Sequence, residues 1–197
     1  MIKKETYADQ IYEKIKKDIL YHRIGFGERL INRELQKRYG VSSTPVRDAI
    51  NKLYLDGFIE EITKAGAKVV DFDRDFALEV NEIISLLSDH ALKMSSAKSD
   101  INEVSEILAQ KLKLQKQNRD NDNYFKYDNE FHLTFFYYSH NKRFCDLYER
   151  YNIFQEILIR YTYMVNMAKE LHRDNAIAQH EQIYLAYKRS EERRVGK

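Results

Sequence analysis

Asp128 and His132 stand four residues apart in YFKYDNEFHLTFFYYS, so on a helix they lie one turn above the other on the same face. Carboxylate and imidazole together suit zinc, nickel, manganese or iron, but two ligands are too few and a third must come from another helix. A plain hydrogen-bonded Asp and His pair is the other reading, and spacing alone leaves both open. Near the N-terminus a second set of residues points to a different chemistry. In STPVRDAINKL, Val46, Ala49, Ile50 and Leu53 would share one helix face, which turns Thr44, Arg47, Asp48 and Asn51 outward. Such a helix can enter the major groove of DNA, where Arg47 and its neighbours would read base edges. The single cysteine, Cys145, can form neither an internal disulfide nor a cysteine-based zinc site, and is read as structural.

The elements that must position these residues divide sharply. Gly25, Gly27, Gly40, Pro45, Gly57 and Gly66 all fall in the first 66 residues, and Ala67 to Val195 contains neither Gly nor Pro. Sheets need such residues at their turns, so the second part is expected to be a helical bundle. Helices are placed at about 73–97, 101–118, 123–138, 142–167 and 174–190, with breaks at Asp100 and along 118–123. In the first part, Tyr7 to Tyr21 spaces Ile11, Ile15, Ile19 and Leu20 as an amphipathic helix, with Lys14, Lys16, Lys17 and Asp18 facing water. Asn32 is expected to cap a short helix from Arg33 to Tyr39, which Gly40 ends; Ser42 is expected to cap the helix that follows, with Pro45 harmless in its first turn. A hairpin of residues 58–62 and 67–70 about the turn 63–66 completes a winged helix-turn-helix, with Lys64 and Lys68 on the wing to meet phosphate or minor groove.

Charge divides at the same place. Residues 1–70 hold 14 Lys/Arg against 10 Asp/Glu, net +4, and the remainder 19 against 21, net −2. No run approaches the roughly 18 apolar residues of a membrane-spanning helix, and MIKKETYADQ lacks the apolar core of a signal peptide, so the expected setting is the cytoplasm with no membrane contact. The expected fold is mainly α: a DNA-binding winged helix-turn-helix over 1–70, then an all-α domain over 71–188.

The stretch ERLINRELQKRYGVSSTPVRDAINKLYLDGFIEE resembles the N-terminal domain of GntR-family bacterial transcription regulators, in GVSSTPVRDAI, Leu53 and Asp56-Gly57. That resemblance implies DNA contacts at Arg33, Thr44, Arg47 and Gly66. Asn51 and Lys64 join them from the outward helix face and the wing. Ser43 stands where the family usually has an arginine, which removes a charged contact. Further on, DNEFHLTFFYYSHN, residues 128–141, resembles the FCD effector domain of the FadR-type subfamily. The resemblance implies a divalent metal, with His180 of HEQIYLA joining Asp128 and His132, and a last histidine that has no counterpart here, so metal binding would be weak.

The family's arginine and glutamate on the first effector helix are replaced by Ile84 and Ser88, so the effector is expected to meet Arg160 and Tyr161 instead, on a helix with Phe154, Ile157 and Met164. The eight aromatics between Tyr124 and Tyr138 are more consistent with bundle core than with a ligand box. Residues 189–197, RSEERRVGK, resemble the translation of a sequencing-adapter read-through and are expected to be a non-native tail on a domain truncated before its last helix.

The function these expectations describe is a homodimeric repressor of a palindromic operator, controlled by a small organic acid bound at a zinc, nickel or manganese ion in the helical domain. Two rival classes are a helical metal-dependent enzyme and a winged-helix protein-interaction module. The enzyme is disfavoured because His180-Glu181 is followed at position 184 by Tyr rather than the second histidine of a metalloprotease motif.

Overall fold

The computed structural model describes residues 5–165 and 169–195. The chain divides into two compact units, Met1–Leu78 and Glu79–Lys197. Among the described residues there are eight helices and three short strands.

In the first unit α1 spans Tyr7–Leu20. Thr6 and Asp9 form a reciprocal cap at its start, Thr6 Oγ1 accepting from the Asp9 amide at 3.1 Å and Asp9 Oδ2 from the Thr6 amide at 3.0 Å. Its stripe of Ile11, Ile15 and Ile19 is buried. Asp18 departs from the water-facing position its place in the helical pattern gave it. It is buried, because its carboxylate accepts from Arg38 at 2.7 Å and from Arg23 at 3.2 Å, tying α1 to the next helix.

β1 (Arg29–Leu30), α2 (Asn32–Tyr39), α3 (Ser43–Leu55), β2 (Ile59–Thr63) and β3 (Gly66–Val69) follow. Val46, Ala49, Ile50 and Leu53 are all buried, so α3 presents the face its spacing predicted. Both cap expectations need correction. Asn32 is the first residue of α2 rather than its cap, and its side chain turns to Gln36 and Ser43; Ser42 sits at the cap position of α3 but makes no side-chain capping bond.

The sheet is antiparallel in the order β1, β3, β2, with Leu30 and Ile62 on either side of Ala67. Two residues are too few to show alternation, which is why β1 escapes a sequence reading. Gly66 has φ +128, and a Cβ there would come within 2.8 Å of the Leu30 carbonyl oxygen. Only glycine allows both that conformation and that approach of the two strands.

In the second unit lie most of α4 (Arg74–Lys98), then α5 (Ile101–Gln117), α6 (Asn123–Tyr137), α7 (Lys142–Val165) and α8 (Lys169–Val195). The last helix begins five residues before the expected start at 174 and its backbone continues to Val195. Residues 166–168 at the expected end of α7, and 196–197 of the expected tail, lie outside the described residues. Asp100 caps α5, accepting from the amides of Asn102 and Glu103 at 2.8 and 3.2 Å.

α5 packs chiefly against α6 and α8. Five of the eight clustered aromatics, Tyr124, Phe125, Phe131, Phe135 and Phe136, are buried, and Phe136 stacks on Tyr148 at 4.1 Å between centroids. Cys145 is buried and free, its thiol pushed up by desolvation, as suits a packing residue.

Candidate functional site

Two arrangements carry chemistry, one in each unit. In the first, α2, α3 and the β2–β3 turn enclose a cleft of about 550 Å³. Six of the seven residues singled out in the sequence line it: Arg33, Ser43, Arg47, Asn51, Lys64 and Gly66. Thr44, the seventh, is exposed on α3 outside that lining.

Some cations of this unit are paired and others are not. Arg23, Arg29, Arg38, Lys52 and Lys68 are each held by a carboxylate. Arg33, Arg47 and Lys64 make no ion pair among the described residues, and all three are exposed at the one cleft. Lys68, expected to meet DNA with Lys64, is instead bridged by Glu60 and Asp71, both at 3.1 Å, because β3 is the middle strand and its side chain lies among acidic neighbours. Where the family has an arginine, the Ser43 hydroxyl donates to Asn32 Oδ1 at 3.1 Å, and that oxygen also accepts from Gln36 Nε2 at 2.5 Å. The cleft floor at that point is therefore an amide and hydroxyl network without charge.

In the second unit α6 and α8 bring Asp128, His132 and His180 together. The two Nε2 atoms lie 3.0 Å apart, and His180 Nε2 is 3.9 Å from Asp128 Oδ1. Gln115 of α5 organises the group. Its Nε2 donates to Asp128 Oδ1 at 2.7 Å, and its Oε1 lies 2.8 Å from His180 Nδ1. An amide oxygen only accepts, so His180 carries its proton on Nδ1 and presents a bare Nε2 lone pair, toward which His132 donates from its own Nε2. Phe131 stacks on the His180 ring at 4.3 Å and fixes its plane.

Burial keeps both rings neutral. His132 is lowered to about 4, and His180 is lowered further by desolvation and by His132 beside it. Desolvation pushes Asp128 up to about 7, opposed by its bond from Gln115. As it stands the cluster is a hydrogen-bonded network, and among the described residues no three such side chains are set to hold a metal ion. The donor chemistry nevertheless fits one. A shared proton occupies the space between two neutral imidazole nitrogens, a carboxylate stands beside them, and an amide oxygen holds the far nitrogen of His180, as histidine ligands are usually held.

The residues chosen for an effector fare differently. Arg160 is half-buried, with its guanidinium spent on Asp122 at 2.6 Å and Glu156 at 2.8 Å and stacked 4.0 Å over Phe125. Tyr161 is exposed. Gln115 is the functional residue that the sequence reading missed. Its only signal would have been its register: a polar residue on the face of α5 that also carries Val104, Leu108 and Leu112.

The description "Bacterial regulatory proteins, gntR family" matches residues 7–69, and "FCD domain" matches residues 79–197. The uncharacterized HTH-type transcriptional regulator YdhC of Bacillus subtilis (strain 168) is 23% identical over 185 residues, covering 92% of this chain and 81% of that protein. Among solved structures, E. coli McbR/YncC aligns with a TM-score of 0.62 at 19% identity, over 98% of this chain and 97% of its own. Lar, which controls the expression of the Listeria monocytogenes agr system, aligns at 0.52 and 20% identity, over 95% and 99%. These likenesses agree with a winged helix-turn-helix joined to a helical domain, and they indicate a transcription regulator rather than an enzyme. No helix among the described residues is long and apolar enough to cross a membrane. The chain belongs to the GntR family of bacterial regulatory proteins, in the group whose second domain is an FCD domain, and is a DNA-binding transcriptional regulator.

Proposed function

We propose that this regulator is a cytoplasmic repressor that binds a palindromic operator as a homodimer, and that a small carboxylate bound in its helical unit changes the affinity for DNA. One observation carries the DNA-contacting part of the reading. The three cations without an ion pair that line the α2, α3 and wing cleft, Arg33, Arg47 and Lys64, are three of the residues proposed to contact DNA. Arg47, on the outward face of α3, reads a base edge, with Thr44 and Asn51 on the same helix beside it. Arg33 and Lys64 meet phosphates on either side, and Gly66 lets the wing backbone approach closely. A two-fold dimer would place two such helices one helical turn of DNA apart, so a small reorientation costs much affinity.

Asp128, His132 and His180 would hold a divalent ion, zinc, nickel or manganese, which when bound supplies open positions for carboxylate oxygens. Gln115 orients both Asp128 and His180, and Phe131 keeps the His180 ring aligned and dry.

The test is Arg47→Ala. Operator binding should fall by roughly a hundredfold or more with the helical circular-dichroism signal unchanged, and wild-type affinity should drop steeply with salt. Salt-independent binding, or an Arg47→Ala protein that binds as wild type, would instead favour a winged helix that recognises protein.

A further inference from the structure

Arg173, on the second turn of α8, is set differently from Arg160 and Arg119 of the same unit. Arg160 ends on Asp122 and Glu156, and Arg119 on Asp120 and Asp174. Arg173 meets no carboxylate among the described residues. Its guanidinium instead lies against three rings, 5.1 Å from the centroid of Tyr124, 5.4 Å from Tyr163 and 5.7 Å from Phe125. Nη1 donates to the backbone carbonyl of Arg119, while Nε is buried with no partner. The Tyr124 hydroxyl is buried as well; it interacts electrostatically with Tyr163 and Gln115 but completes a hydrogen bond with neither.

A half-buried guanidinium whose buried Nε donor is unspent is costly, and ring faces return only part of that cost. In the same low-dielectric setting an arriving anion is held more strongly than at the surface. The position is also specific. Tyr124 is one turn from Asp128 on α6, and Arg173 is two turns, about 10 Å, before His180 on α8. The spacings of four and seven residues keep the cage on the same sides of α6 and α8 as the histidine cluster.

We propose that Arg173, in its cage of Tyr124, Phe125 and Tyr163, is the anion-binding residue of the helical unit, taking a carboxylate of a small organic acid. The cation that the sequence suggested for this role, Arg160, is already neutralised by its own neighbours. The assignment rests on the effector reading only for its consequence at DNA; acid binding is measurable by itself.

The experiment titrates the full chain with malonate and with succinate by calorimetry, in zinc-supplemented and in chelator-treated buffer. At least one acid should bind in one of the two buffers. Arg173→Gln should weaken it about tenfold or more, as expected for loss of a charge-assisted fork. Arg173→Lys, which keeps the charge without the fork, should weaken it less, and Arg160→Gln should leave it within about threefold. Should Arg173→Gln melt below the assay temperature, Arg173→Lys carries the comparison through its loss of fork geometry. Failure of both acids to bind in either buffer, or both Arg173 variants binding as wild type, overturns the assignment. Arg173-dependent binding that leaves operator affinity unchanged supports the anion site and overturns the effector reading alone.

Discussion

The two units handle charge in opposite ways. In the winged unit Arg23, Arg29, Arg38, Lys52 and Lys68 are neutralised locally, whereas Arg33, Arg47 and Lys64 stay exposed and without an ion pair around one open cleft. In the helical unit His180 is buried and Asp128 and His132 are half-buried, and desolvation holds both imidazoles far below their ordinary range and raises Asp128 to about 7. A site for a long polyanion gains from charges that remain hydrated and screened until the counterions of DNA are released. A site for a small ligand gains from the opposite, since a dry pocket strengthens each interaction at the cost of preparing its polar groups in advance. Under the proposed function, one chain therefore holds a surface reader, tuned by which cations are left unpaired, and an interior cluster, tuned by which hydrogen bonds are satisfied.

The sharpest way to break this comparison is to remove unpaired and paired cations separately. The double change Arg33→Ala and Lys64→Ala should weaken operator binding by roughly a hundredfold at moderate salt and reduce the slope of log affinity against log salt by about two. Lys68→Ala, which removes a lysine already bridged by Glu60 and Asp71, should change affinity by no more than about threefold. Equal losses in the two variants, measured by fluorescence anisotropy across a salt series, would show that local pairing does not select the DNA face.

The interior site is sharpened next by Gln115→Leu. The change leaves the Asp128 carboxyl and His180 Nδ1 without their partner, so the metal-free protein should lose about 2 kcal/mol of stability in urea unfolding. DNA affinity at low effector should stay close to wild type. A loss below about 0.5 kcal/mol would mean that water replaces the amide without cost.

The smallest effect is the pH dependence of the chelator-treated protein. His132 and His180 have folded pKa values below the ordinary 6.5, so the unfolded chain takes up their protons first, and their contribution is lost as pH falls from about 6.5 toward 4. Asp128 is raised from 3.8 to about 7, so it works in the opposite direction, losing stability as pH rises through that interval. Two imidazoles outweigh one carboxyl, and stability should fall by about 1 kcal/mol between pH 7 and pH 5. His180→Gln leaves one group of each kind and should flatten that slope. A wild-type protein more stable at pH 5 than at pH 7 would contradict the neutral-imidazole arrangement.

Reading the sequence reached some residues and not others for identifiable reasons. Asp128 and His132 were legible because four-residue spacing fixes two side chains on one face whatever surrounds the helix. Their relation to His180, 48 residues on, entered only through resemblance, because nothing local says which helices will be neighbours. Gln115 offered only its register on the apolar face of α5 and Arg173 no signal at all, as one glutamine and one arginine look like any solvated polar residue until packing places them. Asp18 misled for the same reason: its position in the stripe faces water in an isolated helix, and Arg38 from another helix draws it inside.

The sequence by itself determined the division into a Gly-containing winged part and a Gly-free and Pro-free helical part, the recognition-helix face of Val46, Ala49, Ile50 and Leu53, and the wing turn at Gly66. These follow from local sterics and periodicity, which act over a few residues. Tertiary structure alone decided which cations remain unpaired, that Asn32 turns from capping to hold Ser43, that Arg160 is spent on Asp122 and Glu156 while Arg173 is not, and that Gln115 binds the carboxylate and the imidazole together. Pairing and desolvation depend on which groups meet across the chain, and those meetings are a property of the packed fold.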